Sequence, residues 1–244
     1  MRVRYALLLS LIITFIFIGN FFFFSSFHSE LENVVINRVI DGDTVKIDDG
    51  RTIRLLNINT PEKNTFGAGY AANYLSGYLN KTIELESVGT EKYGRTLGRL
   101  YYGDEYLNWE IVRSGLGHTF LTQEDETRSF YDAQKKAMDE GDGIWEHSQY
   151  YRCVKMKINI KDEFVDLDVV CNVSLEDWTL SDESTKKYTF GKSSENRIRI
   201  YSASGKDTAN ERFWGEGNVW NNDRDSAIVR DKKGLLVDFY SYGY

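Results

Sequence analysis

The tripeptide Asp48-Asp49-Gly50 lies between TVKI and RTIRLLNI, with VVINRVI a few residues ahead. Asp-Gly between runs that alternate apolar and polar residues is a strong short-range hairpin signal. The chain therefore starts its folded part with three antiparallel strands. Its only proline is Pro61, so every other turn must rely on Gly, Asn or Asp. The spacing of GYAANYLSGYLN predicts a helix, KTIELESV and GRTLGRLYYG predict strands, and Asn108 reads as the N-cap of a helix in WEIVRSG that stops at Gly115. ETRSFYDAQKKAMDEG predicts a further helix ending at Gly141. After Trp145 the texture changes to short strands punctuated by Gly, Asn, Ser and Asp through Tyr244, the pattern of a β-sandwich. The expected division is 1–30, 31–148 and 153–244, with no internal repeat.

Residues 1–30 form a separate class. Arg2 and Arg4 precede an apolar run from Tyr5 to Phe27, long enough to span a bilayer as a helix. The sequence FFFFSSFHSE offers no small-x-small cleavage signal, which favours an uncleaved signal anchor over a cleaved signal peptide. The N-terminal positive charge then keeps that end in the cytoplasm and places the rest outside; a cleaved leader would leave a secreted protein.

Outside the cell, Cys153 and Cys171 can pair; inside, they would be small core residues. Two cysteines and three scattered histidines exclude a structural zinc site. Asn80-Lys-Thr and Asn172-Val-Ser match the N-glycosylation pattern. Charge excludes one mode of action: residues 31–147 carry 13 Lys and Arg against 20 Asp and Glu. Diffuse attraction cannot bring a polyanion to such a surface, so any nucleic-acid chemistry must depend on local arginines and a bound cation.

The residues for that chemistry are present. Hydrolysis of a phosphodiester needs a cation, fixed donors for the equatorial oxygens and a carboxylate to position water. Asp41 and Asp43 bracket Gly42 in a turn, Arg54 lies on the following strand, and Glu62 follows Thr60-Pro61. Pro61 keeps Thr60 extended, which lets its carbonyl act as a ligand. Oxygen donors of this kind suit Ca²⁺ or Mg²⁺. Taken singly, each of these is more often a turn or a solvated hairpin; their joint order is what carries weight. Strict alternation puts Arg54 and Asn59 on opposite faces, so both can serve one pocket only if the strand breaks near Asn57 to Asn59.

Five stretches, Val39-Ile40-Asp41-Gly42-Asp43-Thr44-Val45, Arg54-Leu55-Leu56, Thr60-Pro61-Glu62, Lys92-Tyr93-Gly94-Arg95 and Val112-Arg113-Ser114-Gly115-Leu116, occur in the order and spacing of the staphylococcal-nuclease-like, or thermonuclease, family, which residues 33–147 resemble. The resemblance implies an OB-fold five-stranded barrel with packed helices and a Ca²⁺-dependent phosphodiesterase acting on DNA and RNA. It also implies roles: Asp43 toward the metal, Thr60 through its carbonyl, Glu62 as general base, Arg54 and Arg95 on the scissile phosphate, and Tyr93 on the nucleotide; Asp41, outside that pattern, is the candidate to make up part of any missing ligand charge. Where the family normally has aspartate before Thr-Pro-Glu, this chain has Asn59, an uncharged oxygen ligand. The loss of that charge predicts metal binding weaker by about tenfold to a hundredfold. The loop after Phe66 is also shorter than in several family members, so a more open cleft is expected.

Residues 153–244 resemble a lamin-tail domain, an immunoglobulin-like sandwich, through Leu175, Trp178-Thr179-Leu180, Trp220-Asn221-Asn222-Asp223 and Leu236-Val237-Asp238. Trp178 and Trp220 are expected in its core, and its partner is unknown. The whole reads as a mostly β multidomain chain: N-terminal hydrophobic helix, barrel, sandwich. Its expected function is an extracytoplasmic nuclease acting on DNA or RNA, attached to the membrane through its leader. The alternative is an OB-fold module that binds nucleic acid or protein with weakened turnover.

Overall fold

The computed structural model describes residues 31–244 except residues 123, 124, 185, 193 and 194. The predicted leader helix and its membrane role lie outside the described residues, among which no helix is long and apolar enough to cross a membrane.

Strands β1 (Leu31–Val39), β2 (Thr44–Ile47) and β3 (Thr52–Leu55) form the meander expected from the Asp-Gly turn. Thr44 of β2 lies opposite Arg54 of β3. RTIRLLNI does not continue as one strand. It ends at Leu55, turns through Asn57 in the left-handed region (φ 68°) and resumes as β4 (Ile58–Asn59). Helix α1 covers Tyr70–Ser76, less than the twelve residues whose spacing suggested a helix, because the chain turns at Gly77 to feed β5 (Thr82–Thr90). Strand β6 (Thr96–Tyr102) pairs with β5 and, in parallel, with β3. That last pairing closes the order β3-β2-β1-β5-β6 into a five-stranded barrel filled by Ile36, Val45, Ile53, Leu85 and Leu100.

The short strand β7 (Glu105–Tyr106) leads into α2 (Leu107–Arg113), and β8 (His118–Thr119) pairs with β4, setting Asn59 opposite His118. Asn108 is not the N-cap of α2: the helix already includes it, and the preceding Tyr106 makes no side-chain cap. Its side chain is fully buried, accepts from Leu100 N at 3.1 Å and donates to Leu56 O and Gly98 O at 2.9 and 3.0 Å. Main-chain groups beside the strand break, Leu56 O among them, take this amide in place of the helix end. Helix α3 (Thr127–Glu140) buries Phe130, Ala133 and Ala137 and ends at left-handed Gly141.

After the 3₁₀ turn Gly143–Trp145, two four-stranded sheets face one another. One contains β9 (Val154–Asn159), β10 (Phe164–Val169), β13 (Arg197–Tyr201) and β14 (Glu211–Phe213); the other contains β11 (Thr179–Ser181), β12 (Lys187–Thr189), β15 (Asp225–Arg230) and β16 (Leu236–Tyr242). Trp178 and Trp220 are buried between them with Leu180, Ile198 and Val229, as expected of core tryptophans. Cys153 and Cys171 form a disulfide with Cα atoms 5.1 Å apart, tying the segment before β9 to the segment after β10.

Barrel and sandwich share a third small core. Ala137, Ile144 and Trp145 from the first pack on Ile228 and Leu236 from the second. Polar contacts join the same surfaces: Arg224 Nη1 donates to Thr122 and Thr127 hydroxyls at 3.1 and 2.9 Å, and the Tyr131 and Tyr244 rings stack. The connecting residues are hydrogen-bonded along β16, with Ser148 N on Leu236 O and Arg152 N on Val237 O. A connection held in this way fixes one domain against the other.

Candidate active site

The barrel brings its acidic turn and one arginine strand to a single mouth. Gly42 makes the turn possible: a Cβ there would lie 2.7 Å from Thr60 Oγ1 and 2.9 Å from Ala71 Cβ. With no side chain in the way, Thr60 packs onto Asp43, and its N–H and hydroxyl both donate to Asp43 Oδ2, at 3.3 and 3.2 Å. The other oxygen, Oδ1, accepts from Thr44 Oγ1 at 2.9 Å and pairs with Arg54 Nε at 3.3 Å. Asp41 Oδ1 accepts from the Asp43 main chain at 3.2 Å, which keeps the second carboxylate beside the first.

Asp43 and Arg54 are both buried. Burial raises the Asp43 pKa, with the Arg54 charge opposing and the Asp41 charge adding to the rise. Burial likewise lowers the Arg54 pKa against the pull of Asp43. A buried pair of this kind costs desolvation that its mutual attraction only partly offsets, and its retention points to function more than to stability.

The left-handed turn at Asn57 resolves the alternation conflict. Arg54 Nη2 reaches Asn59 Oδ1 at 3.3 Å, and Arg54 Nη1 donates to Leu55 O at 2.5 Å, so the guanidinium plane is fixed on three sides. Arg95 arrives from the start of β6. Its Nε pairs with Glu91 and its Nη1 reaches Thr44 Oγ1 at 3.4 Å, leaving Nη2 without a hydrogen bond among the described residues. Arg54, Arg95, Asp41, Asp43, Asn59 and Thr60 are thus gathered into one network. Tyr93 is not part of it: it stands 72% exposed at the tip of the β5–β6 turn, with Lys92 Nζ 4.9 Å from its ring centroid. Glu62 is also exposed, its carboxylate unbonded among the described residues, and it faces a cleft against the sandwich.

Three participants stand outside the residues assigned from sequence: Thr44, Glu91 and Glu183. Thr44 bridges Arg95 to Asp43, and Glu91 orients Arg95 from across the Gly94 turn; the Glu91–Arg95 spacing around a turn glycine was a usable signal. Glu183 of the sandwich accepts the Asn59 side-chain amide on its main-chain oxygen at 3.3 Å, and nothing in the sequence marks that contact. His118 is buried and its ring bonds Thr119 O at 3.0 Å; burial lowers its pKa to about 4, which makes it a neutral structural residue.

A hard cation finds oxygen donors here. Asp41, Asp43, the Asn59 amide oxygen and the Thr60 carbonyl lie on adjoining turns, and the buried Asp43 carboxylate is only partly neutralised by Arg54. This donor set fits calcium or magnesium in kind and is poor in charge, with two carboxylates and two neutral oxygens; among the described residues no group of three His, Cys, Asp or Glu is placed to hold a metal.

Residues 52–147 match the model of the staphylococcal nuclease homologue family. The chain is 37% identical over 129 residues to a thermonuclease of Staphylococcus intermedius, a match covering 47% of this chain and 77% of that protein. The chain belongs to the staphylococcal nuclease homologue family. It is also 29% identical over 138 residues to an uncharacterized endonuclease of Haemophilus influenzae, covering 52% of this chain and 76% of the relative. A thermonuclease of Staphylococcus hyicus is 33% identical over 122 residues, covering 44% and 72%. The family-model match runs from β3 through α3 and includes Arg54, Asn59, Thr60, Glu62 and Arg95; β1, β2 and the turn with Asp41 and Asp43 precede it.

The cleft expected to be open after Phe66 has a second wall. The β15–β16 turn of the sandwich lies against Phe66, and a Cβ on Gly234 (φ 85°) would meet Phe66 Cβ at 2.5 Å. A cavity of about 420 Å³ remains between the domains.

Proposed function

We propose that the barrel is a calcium-dependent nuclease whose site is the network around Asp43, acting on DNA or RNA outside the cytoplasm. Family membership makes the chain a hydrolase of phosphodiester bonds. The observation that carries the finer reading is the placing of Arg54 directly, and of Arg95 through the Thr44 hydroxyl, beside one buried carboxylate, Asp43, with Asp41, Asn59 and Thr60 adding only oxygen donors.

Asp43, Asp41, Asn59 and the Thr60 carbonyl would hold the cation, which supplies charge stabilisation to the phosphoryl oxygens when bound. Arg54, its plane fixed by Asp43, Leu55 and Asn59, offers its remaining N–H groups to a phosphate oxygen. Arg95 Nη2 is the second donor, aimed by the grip of Glu91 on Nε. Glu62, exposed on the interdomain cleft two residues beyond Thr60 and without a contact to the Asp43 network, is the carboxylate that would accept the proton of the attacking water. Tyr93 closes over the nucleotide from the exposed β5–β6 turn.

The location draws on the Cys153–Cys171 disulfide, a bond that persists in oxidising compartments, and on the anchor sequence at residues 1–30. The sandwich, similar to a lamin-tail domain in its motifs, serves as an accessory module over residues 153–244. A second reading, a binding module with weakened turnover, draws on Asn59, whose amide is engaged by Glu183 where a charged ligand would otherwise stand.

The test is hydrolysis of heat-denatured DNA by the full-length chain while calcium is raised from micromolar to several millimolar. Cleavage that needs calcium, stops with chelator and is lost in Glu62→Gln is expected. Undiminished cleavage in chelator would exclude the calcium assignment, and binding without turnover at any calcium level would select the second reading.

A further inference from the structure

The cavity between barrel and sandwich opens beside Glu62, yet the residues on its far side belong to the sandwich. Lys187, Lys232 and Lys233 line that side, are exposed, and form no ion pair among the described residues. Two of the three carboxylates beside them are withdrawn from the cleft surface and held by neutral donors. Asp231 is buried and accepts from Ser148 Oγ, Lys233 N and Leu235 N at 2.7, 2.8 and 3.1 Å. Asp182 is buried and accepts from Ser184 Oγ and Lys186 N at 2.7 and 2.8 Å. On the sandwich wall only Asp177 remains as an exposed carboxylate against three exposed ammonium groups. At the back, Arg230 Nη1 donates to Ile144 O and Gly234 O at 2.6 and 3.1 Å, a guanidinium held by carbonyls from both domains.

This wall stands opposite a barrel with a surplus of seven negative charges over residues 31–147. A polyanion brought to Glu62 meets repulsion from the barrel on one side and, on the other, a wall whose three ammonium groups are exposed while two of its three carboxylates are buried. The cavity volume, about 420 Å³, lies within the range of about 300–1,000 Å³ typical of ligand sites. The turn that carries Lys232 and Lys233 is set in place by Gly234 against Phe66 and by Arg230 against Ile144.

We propose that this interdomain cleft is a subsite for single-stranded nucleic acid, in which Lys187, Lys232 and Lys233 take phosphates of the strand flanking the linkage cut at the barrel mouth. The inference rests on the nuclease reading of the barrel and assigns the sandwich a direct part in substrate binding. A backbone-tracking groove of this kind is sequence-tolerant and salt-dependent.

The experiment compares the full-length chain with Lys187→Gln/Lys232→Gln/Lys233→Gln on two substrates. One is a fluorescein-labelled oligothymidylate of about 12 nucleotides, the other thymidine 5′-(p-nitrophenyl) phosphate, too short to reach the cleft. For the oligonucleotide, KM should rise about tenfold relative to the short diester, kcat should hold, and the slope of log affinity against log salt should fall by about 2, near 0.7 per lost lysine. The Arg triple variant should restore both. An unchanged oligonucleotide KM and salt slope would overturn the subsite, as would an equal loss on both substrates. If the wild-type chain cleaves neither substrate, the nuclease reading fails; the cleft is then judged by oligonucleotide anisotropy alone, where an unchanged salt slope overturns it.

Discussion

Asn59 at the barrel mouth donates its side-chain amide to the main-chain oxygen of Glu183 in the sandwich, at 3.3 Å, while its amide oxygen accepts from Arg54 Nη2 at the same distance. Asparagine is the residue that can do both, since it carries a donor and an acceptor on one group. An aspartate would keep the bond to Arg54 and face the Glu183 carbonyl with a second acceptor.

Asn59→Asp should therefore have two opposed effects. The added charge should lower the calcium concentration for half-maximal cleavage by about tenfold to a hundredfold. The lost interdomain hydrogen bond should cost about 1 kcal/mol of stability. Calcium titration of activity and urea unfolding, run on the same preparation, check the two together. No shift in the calcium midpoint would remove Asn59 from the ligand set.

The pH dependence of the interface follows from Glu183. Its side chain is buried, one oxygen accepts from the Tyr244 hydroxyl and the other has no partner, and burial pushes its pKa up to about 8. The folded state thus keeps a proton that the unfolded chain releases near its ordinary value of 4.5. The contribution to stability is complete below about 4.5 and is lost as pH rises through about 8, a change on the order of a few kcal/mol. Asp225, pushed up to about 6, acts in the same direction over a lower window. The melting temperature should fall from about pH 5 to about pH 9, and Glu183→Gln should flatten that fall. A melting temperature as pH-dependent in Glu183→Gln as in the wild type would refute this assignment.

Asn108 should matter to folding and not to catalysis. Replacing it with Ala removes the side-chain partner of Leu100 N and Leu56 O in the barrel core, leaves Gly98 O only its bond from Leu56 N, and should cost about 2 to 3 kcal/mol. Equilibrium denaturation measures this. A loss below about 1 kcal/mol would mean that water replaces the amide.

Arg95 and Glu91 separate contact from positioning. Arg95→Ala should lower kcat by about 10² to 10³. Glu91→Gln keeps a bond to Nε without the charge, so its loss should be smaller, of about tenfold. Equal losses in both would show that Arg95 cannot hold its place without the carboxylate.

Much of the barrel was legible because its signals are local. The Asp-Gly turn, the alternation of β1 to β3 and the glycine ends of α2 and α3 each depend on neighbours within a few residues, and the chain follows them. The order of Asp43, Arg54, Thr60 and Arg95 likewise survives in the network around Asp43. The break that unites Arg54 with Asn59 could be demanded from alternation, and the left-handed Asn57 supplies it.

What folding in three dimensions decided was which partner each polar group takes when many are within reach. Asn108 looked like a helix cap and became a buried clamp on a main-chain oxygen 52 residues away. Asn59 found a carbonyl 124 residues distant, and Lys232 and Lys233 came to face Glu62 across a cleft. Such contacts carry no periodicity. They follow from two independently formed layers, barrel and sandwich, being locked by the shared core of Ile144, Trp145, Ile228 and Leu236.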